Sequence, residues 1–502
     1  MVSARSGQPK PGPFPIPATA VASHPCVMLA PRELRRWIDE LPLANPPKAG
    51  NLLLQQLRLL VRDPRPGARF AALLDLYDGP LRQLLEVVRE RIPANTDGAV
   101  PLDQLENLVI DLVTELAYGR LRIANDQLAA GKTPTTEILF DAMRLLDDAM
   151  SIQRLHYCRL APGHWRLMLQ IFQHAEYHDA GNQHVEYRPH QAGDPDSIHG
   201  LFFRALVLNL CDPHQRRPGE LLEWYRWTGQ HTALLDLTVL PQGACAIPLD
   251  VSGRLSPLGG ARAAKPGTET RYLAADRFLQ QIQDEPDSPE GLHRALIDLI
   301  KGRKTSEQRQ AARQARSHPF RLLYGIRSIH RRLSDLTQGA TTSPGELTPV
   351  PCTQINQSRS GAAFRLQGPL NPPFAVGEPI LAEAHSSAGS GSGAAVGFAA
   401  TIRHLVSDEN QQIEIGVKKI QGRLVPLTVI GAAADRARGD CHALLEHAGE
   451  TGRYTLLAAR SVYREGDMVA AEGPGMRYSL RMLRLLGTVQ HTAFIEVEKT
   501  DN

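Results

Sequence analysis

The segment from Asn356 to Gly361, Asn-Gln-Ser-Arg-Ser-Gly, carries the side chains best suited to bind a ligand. Its (Asp/Asn)-x-Ser-x-x-Gly spacing places the carboxamide of Asn356 and the hydroxyl of Ser358 on one edge of a strand. The glycine lets the backbone turn and lets a ligand approach closely. These residue types favour binding of a phosphate-containing molecule over catalysis.

A strongly basic segment precedes this turn. Residues 301–335 contain ten lysines and arginines but only two acidic residues. The basic residues are Lys301, Arg303, Lys304, Arg309, Arg313, Arg316, Arg321, Arg327, Arg331 and Arg332. Because guanidinium groups pair well with phosphate oxygens, the segment suits a phosphate or a nucleotide.

The overall composition is that of an ordinary globular protein with several domains. The chain has 502 residues, of which 42% are hydrophobic and 22% charged, and its net charge is +3. This length corresponds to about two to four domains, and the small net charge argues against binding to a nucleic-acid polymer. The six cysteines form no Cys-x-x-Cys pair, which favours a reducing cytoplasm over a disulfide framework or zinc ribbon. No stretch approaches the roughly 18 apolar residues of a membrane helix, so membrane insertion is not expected.

The spacing of apolar residues divides the chain into helical and β regions. Residues 1–30 are rich in proline and are expected to form a disordered tail. Helical periodicity over residues 31–235, clear in the stripe from Leu105 to Leu116, predicts an all-α domain of packed helices. Residues 236–300 are interpreted as a mixed connecting region. Apolar and polar residues then alternate with a period of two, which predicts strands through most of the remaining chain. No internal sequence repeat is visible.

The β region resembles a PilZ domain, the bacterial receptor module for cyclic di-GMP. The resemblance covers residues 300–430 and rests on motifs that occur in the family's order. These are Arg309-Gln310-Ala311-Ala312-Arg313 before the first strand, the turn from Asn356 to Gly361, Phe364-x-Leu366, Gly377 to Leu381, Gly397 to Arg403, and Ile415 to Val417. The helical part, including Leu41 to Pro46, looks like the N-terminal region of longer proteobacterial proteins that end in a PilZ-like domain.

The resemblance implies an α+β multidomain protein. An N-terminal all-α helical domain would be followed by a PilZ-like antiparallel β-barrel over residues 301–430 and a further β segment over 431–502. In the family, two arginines hold the guanine bases and phosphates of cyclic di-GMP, while Asp or Asn and Ser contact the guanine edge. Carried over to this chain, the resemblance implies Arg309 and Arg313 as the clamp, Asn356 and Ser358 as base readers, and Gly361 as the position of close approach.

A second Arg-x-x-x-Arg motif offers an alternative clamp. Arg327 and Arg331 follow the first candidate strand instead of preceding it. They lie in an apparent inserted helix marked by Ile326, Ile329 and Leu333. The inserted helix makes the separation between the arginines and the turn longer than in a minimal PilZ domain.

The expected function is non-catalytic sensing of cyclic di-GMP in the cytoplasm, with the helical domain contacting a protein partner. No cofactor or metal is expected, and no phosphate loop, nucleophile elbow or dinucleotide fingerprint occurs in a strand-to-helix setting. Two alternatives stay open: a degenerate PilZ-like scaffold that binds no nucleotide, and a metal-dependent hydrolase that uses the histidine-rich loop, beside which His174 and His178 share one helical face. The polar loop available to such a hydrolase contains Asp179, His184, Glu186, His190, Asp194 and Asp196.

Overall fold

The structure is a computed structural model whose described residues fall into two compact units. It describes residues 12–64, 67, 69–91, 102–186, 193–251, 270–289, 291–305, 314–338, 349–367, 374–384, 397–408, 412–431, 433, 441–447, 453–489 and 491–500. The first unit contains the described residues up to Thr305 except His214–Arg217. The second unit contains His214–Arg217 and the described residues from Gln314 onwards.

The N-terminal part of the first unit is built from α-helices. Those among the described residues are α1 (Pro31–Asp39), α2 (Pro46–Arg62), α3 (Phe70–Asp75), α4 (Asp78–Arg91), α5 (Gln104–Ala129), α6 (Thr136–Leu155), α7 (Pro162–Tyr177), α8 (Ile198–Leu210) and α9 (Pro218–His231). In the predicted stripe of α5, Leu105, Val109 and Leu116 are buried in one apolar core shared by the helices, and the half-buried Leu108 packs against it. The predicted all-α organisation of this region is confirmed.

Local sequence signals explain where several helices begin. At α5, the Asp103 carboxylate accepts a hydrogen bond from the Glu106 N–H, and the Glu106 carboxylate accepts one from the Asp103 N–H. This reciprocal capping box satisfies two donors that the helix cannot pair internally. Proline occupies the first turn of α1, α2 and α7, where its missing N–H costs nothing. No helix in the described part of the chain is long and apolar enough to cross a membrane.

A buried ionic network joins α6, α8 and α9. The Arg204 guanidinium donates from Nη2 and Nε to Oδ2 of Asp147, at 2.7 and 3.1 Å, and the Tyr225 hydroxyl donates to the same oxygen at 3.0 Å. Arg204 also donates to Asp194 at 2.7 Å. Because Arg204 and Asp147 are only 2% and 0% exposed, each needs the other to offset the cost of leaving water.

The N-terminal segment is held against the helices. Phe14 is buried, and its ring centroid lies 4.6 Å from that of His174. The N–H and C=O groups of Phe14 exchange hydrogen bonds with the carboxamide of Asn125, at 2.8 and 3.0 Å. The expected disordered tail therefore does not extend to Phe14, because one buried aromatic ring and two backbone hydrogen bonds fix the chain there. Residues 1–11 lie outside the described residues.

A small antiparallel sheet and two further helices complete the first unit. The strands are β1 (Asp236–Thr238), β2 (Ala246–Asp250) and β3 (Thr270–Ala274), in the spatial order β1-β3-β2. They are followed by α10 (Asp276–Asp284) and α11 (Leu292–Thr305). Leu237, Ile247, Leu273 and Phe278 join the apolar core of the helices, so this region packs as part of the unit.

Six strands of the second unit close into an antiparallel β-barrel, here called the first barrel. They are β4 (Gln314–Tyr324), β5 (Val350–Gln357), β6 (Gly361–Leu366), β7 (Pro379–Ala384), β8 (Gly397–Ser407) and β9 (Ile413–Lys419), in the order β4-β5-β6-β9-β8-β7. Alternate residues face inwards, as in β9, where Ile413, Ile415 and Val417 are buried. The predicted antiparallel barrel after the helical region is confirmed.

The remaining six strands form a second barrel. They are β10 (Arg423–Ile430), β11 (His442–His447), β12 (Arg453–Ala459), β13 (Met468–Gly473), β14 (Met476–Val489) and β15 (Thr492–Lys499), in the order β10-β11-β12-β15-β14-β13. This order repeats that of the first barrel, although the sequence shows no repeat. A barrel strand requires only alternating apolar residues, so two barrels can share a topology without sharing a sequence. The further β segment expected from residue 431 is thus most of a second barrel, which β10 begins before that boundary.

One helix, α12 (Ile326–Gln338), packs between the two barrels. It leaves the end of β4 through Gly325, whose φ of 75° is readily adopted only by glycine. The apolar residues that α12 brings together with both barrels are Ile326, Ile329, Leu333, Leu323, Leu381, Leu424, Leu444 and Leu457. Arg332 adds an ion pair of 2.7 Å with Glu383 on β7. The helix predicted from Ile326, Ile329 and Leu333 is confirmed.

Candidate ligand-binding site

The turn between β5 and β6 is closed by Ser358 and Gly361. The Ser358 N–H donates to the Gly361 carbonyl at 2.8 Å, and the Gly361 N–H donates to Oγ of Ser358 at 3.1 Å. A hydroxyl can accept two hydrogen bonds, so Oγ of Ser358 retains acceptor capacity after holding the turn. The hydroxyl therefore shapes the turn and can also contact a ligand.

Gly361 lies where β6 runs closest to β9. A Cβ atom on Gly361 would stand 2.6 Å from the carbonyl oxygen of Val417, a distance that real Cβ atoms essentially never show. Gly361 is paired with Lys418 across the two strands, and the Lys419 N–H donates to the Ser360 carbonyl at 2.9 Å. Strand packing therefore requires glycine at position 361. The same packing places the backbone of Lys418 and Lys419 beside the turn.

Asn356 lies at an irregularity near the end of β5. The register of the β5–β6 ladder shifts between Gln354 and Asn356, and such bulges redirect side chains. Asn356 is half-buried, and its carboxamide makes no hydrogen bond with the residues that the structure describes. An unpaired carboxamide offers both donors and an acceptor to a ligand.

The beginning of β4 lies directly beside this turn. Ala315 is paired with Asn356, and Gln314 is paired with Gln357. Arg309 and Arg313, the arginines expected to precede the first strand, lie outside the described residues.

Arg327 and Arg331 are exposed on α12, beyond the opposite end of β4. β4 contains 11 residues. A strand rises about 3.3 Å per residue, so the start of α12 lies on the order of 30 Å along the strand from Ala315. The second arginine pair is therefore separated from the turn by most of the length of β4.

The histidines considered as metal ligands already have protein partners. His174 is 1% exposed and donates from Nε2 to the Gly12 carbonyl at 2.9 Å, and burial lowers its pKa. Nδ1 of His184 lies 2.7 Å from a carboxylate oxygen of Asp196. His190 lies outside the described residues. Among the residues that are described, no group of three His, Cys, Asp or Glu side chains is arranged to hold a metal ion.

A cavity of about 750 Å³ opens in the first unit beside the beginning of α8. Burial lowers the pKa of His199 in its wall to about 4, so this imidazole is uncharged at neutral pH. The charged and titratable side chains that line the cavity are Asp196, Asp236, Asp276, Arg277 and His199. Three carboxylates against one guanidinium make this cavity unfavourable for a phosphate.

Three basic residues beside the turn are not among those predicted from the sequence to bind the ligand. Arg359 is exposed within the turn, and Lys418 and Lys419 end β9 beside it. The sequence does show two adjacent lysines directly after the alternating apolar residues of β9, and this feature could have marked them as candidates. Their closeness to Gly361, however, depends on the pairing of β6 with β9, which no local spacing reveals.

The helical region is similar to part of a known receptor. Residues 32–242 match the family model described as the N-terminal domain of the cyclic di-GMP receptor FimW. No curated protein matches this chain. The matched region contains α1–α9 and lies outside the two barrels, whereas the resemblance to a PilZ domain lies in the first barrel. The similarity to a cyclic di-GMP receptor therefore belongs to the N-terminal region, and the PilZ character of the barrel stays a prediction.

Proposed function

We propose that this protein is a non-catalytic receptor for cyclic di-GMP and that its first barrel binds the ligand as a PilZ domain does. The match of residues 32–242 to the N-terminal domain of a cyclic di-GMP receptor supports the choice of ligand. The observation that carries the site is the pairing of Ala315 with Asn356, which brings the beginning of β4 to the turn between β5 and β6.

Arg309 and Arg313 form the proposed clamp. Arg313 directly precedes Gln314, which is paired with Gln357 at the end of β5. Since consecutive Cα atoms are only about 3.8 Å apart, this position in the sequence favours Arg313 as a contact for a ligand on the turn. A planar guanidinium stacks on guanine and donates parallel hydrogen bonds to phosphate. Arg327 and Arg331, beyond the other end of β4, are the less suitable pair.

Asn356 and Ser358 are the proposed guanine readers. The Asn356 carboxamide makes no hydrogen bond within the described residues, and it can both donate to and accept from the mixed edge of guanine. The Ser358 hydroxyl holds the turn and adds one more contact. Gly361 lets β6 approach β9 closely beside the turn, and the exposed Arg359 supplies positive charge within it.

In this proposal the helical region contacts a protein partner. Val239 and Leu240 follow β1, just beyond the helices but within residues 32–242, which match the receptor domain, and they are 52% and 73% exposed. Large exposed apolar side chains are candidate contact points for another protein. Pull-down experiments test this contact. They compare the proteins captured by the wild-type chain with those captured by Leu240→Ser, each with and without cyclic di-GMP.

Calorimetric titration of the full chain with cyclic di-GMP tests the ligand and the site. We expect saturable binding that Arg313→Ala weakens by about ten- to a hundredfold, because a charge-assisted hydrogen bond contributes on the order of 1.5–3 kcal/mol. Arg327→Ala is the matched control, since it removes the same side chain from an exposed position on α12. Its affinity should equal that of the wild-type chain.

Two other outcomes would redirect the proposal. Unchanged binding by Arg313→Ala together with abolished binding by Arg331→Ala would move the site to the second arginine pair. A folded wild-type chain that gives no binding signal would favour the degenerate PilZ-like scaffold.

A further inference from the structure

The second unit contains a cleft between its two barrels. Its volume is about 640 Å³, which lies within the range of small-molecule sites. The first barrel contributes residues of β8, β9 and the loop before β7, and the second barrel contributes residues of β11, β12, β14 and β15. The two walls approach each other closely at Gly377, where a Cβ atom would stand 2.7 Å from a methyl group of Val489.

Positive charge predominates in this inter-barrel cleft. Its charged lining residues are Arg217, Arg403, Lys418, Lys419 and Glu446. Arg217 is positioned by a hydrogen bond of 2.7 Å from Nη1 to the Thr488 carbonyl. Arg403 is exposed and forms no ion pair with any residue that the structure describes. Even with Glu446 ionised, the lining carries three more positive than negative charges, which favours an anion.

Neutral polar and apolar groups share the cleft with these charges. Thr401 and Thr455 contribute hydroxyl groups that have no hydrogen-bond partner in the described part of the chain. The apolar lining includes Leu486, which is 49% exposed, together with Val489 and Phe494. A bare inorganic anion would use only the cations, whereas an organic anion would also cover the exposed apolar surface.

We propose that the inter-barrel cleft binds a small organic phosphomonoester of about the size of a nucleoside monophosphate. Arg403 and Lys418 hold the phosphate, the threonine hydroxyls donate to it, and the organic part covers Leu486. A phosphomonoester carries about 1.5 to 2 negative charges at pH 7, which matches the charge excess better than a phosphodiester does. This site is additional to the turn between β5 and β6, and it does not depend on cyclic di-GMP binding there.

Calorimetric titration of the full chain with adenosine 5′-monophosphate tests the site. Adenosine, which lacks the phosphate, and inorganic phosphate, which lacks the organic part, are the reference ligands. We expect the monophosphate to bind at least tenfold more tightly than either. Arg403→Gln should weaken its binding about tenfold. Arg477→Gln removes an arginine side chain that is 77% exposed and lies outside the cleft, so it should have no effect.

A second variant separates an electrostatic effect from damage to the cleft. Glu446→Gln removes the carboxylate from the lining and should tighten binding of the monophosphate several-fold, which a distorted cleft would not do. The proposal is overturned if the wild-type chain does not bind the monophosphate, or if Arg403→Gln binds as the wild type does. Loss of binding in Asn356→Ala but not in Arg403→Gln would also overturn it, because the nucleotide would then occupy the turn.

Discussion

The carbonyl oxygen of Val417 lies 2.6 Å from the position that a Cβ atom on Gly361 would occupy. Because this oxygen belongs to the backbone of β9, it cannot move aside as a flexible side chain would. We expect Gly361→Ala to lower the free energy of unfolding of the second unit by about 1–3 kcal/mol, as measured by urea denaturation. Gly361→Val should cost more, since its side chain is larger.

Gly487→Ala is the matched control for this prediction. Gly487 is a strand glycine of β14 with no atom within 4 Å of its Cβ position, so alanine should be accommodated with little change in stability. Equal stability of Gly361→Ala and the wild-type chain would show that β6 and β9 can separate without cost.

Ser358 and Asn356 should respond differently to removal of their polar groups. Ser358→Ala deletes the acceptor that binds the Gly361 N–H at 3.1 Å, so it should lower barrel stability by about 0.5–1.5 kcal/mol and also weaken cyclic di-GMP binding. Asn356→Ala removes a carboxamide that has no partner among the described residues, so it should weaken binding with little change in melting temperature. Melting curves and ligand titrations of both variants provide the comparison. Unchanged melting and unchanged affinity of Ser358→Ala would remove Ser358 from the proposed site.

Local signals in the sequence were sufficient for several strands of the first barrel and for the spacing of the turn. The alternation that ends at Val417 identifies β9, and the turn is defined by groups only a few residues apart, Ser358 and Gly361. The cleft could not be found in this way, because Arg217 and Arg403 are far apart in sequence and line the same cleft only through tertiary packing. Register between strands is likewise set by packing over the whole sheet and by turn geometry.

The second barrel was missed for a related reason. Its strands were recognised as β structure, but closure depends on pairing β10 with β13, and these strands are separated by two others in sequence.

Phe14 shows a different limitation, because the sequence predicted disorder where the structure has a buried side chain. A proline-rich composition predicts disorder from an average, whereas one aromatic side chain packed against His174 is enough to fix the chain locally.

Glu378 should make the stability of the first barrel depend on pH. It is 5% exposed, and its carboxylate accepts a hydrogen bond from the Ala375 N–H at 3.0 Å. Burial raises the pKa of Glu378 from 4.5 to about 7. The folded chain therefore binds a proton more tightly than the unfolded chain. The stabilisation from this group is fully present below about pH 4.5 and is lost as the pH rises through about 7.

Glu378→Gln keeps a hydrogen-bond acceptor but cannot ionise. Calorimetric melting should find it close to the wild-type chain at pH 5 and more stable at pH 8, by at most on the order of 3 kcal/mol, because each pKa unit corresponds to about 1.4 kcal/mol. Glu472→Gln, which alters an exposed ion pair with Arg477, should shift stability equally at both pH values. A constant difference between Glu378→Gln and the wild-type chain from pH 5 to pH 8 would contradict the assignment.

The buried pair of Arg204 and Asp147 should be far more sensitive to a single substitution than an exposed pair. Asp147→Ala leaves the Arg204 guanidinium, which is 2% exposed, without the carboxylate oxygen that it contacts at 2.7 Å. We expect a loss of about 3–5 kcal/mol in the free energy of unfolding of the first unit. Arg91→Ala is the control, because its pair with Asp103 has side chains that are 44% and 47% exposed and should contribute at most about 1 kcal/mol.

Combining Asp147→Leu with Arg204→Met distinguishes an unpaired charge from simple loss of packing. The double variant removes both charges from the core, so it should be less destabilised than the sum of the two single variants. Arg154, whose guanidinium lies 3.7 Å from Asp147, and Tyr225, whose hydroxyl donates to Asp147, limit how far stability can recover, because both lose that carboxylate. Urea denaturation followed by tryptophan fluorescence measures all three variants, since Trp224 is fully buried in the same unit. Additive losses in the double variant would show that Asp147 and Arg204 do not stabilise each other.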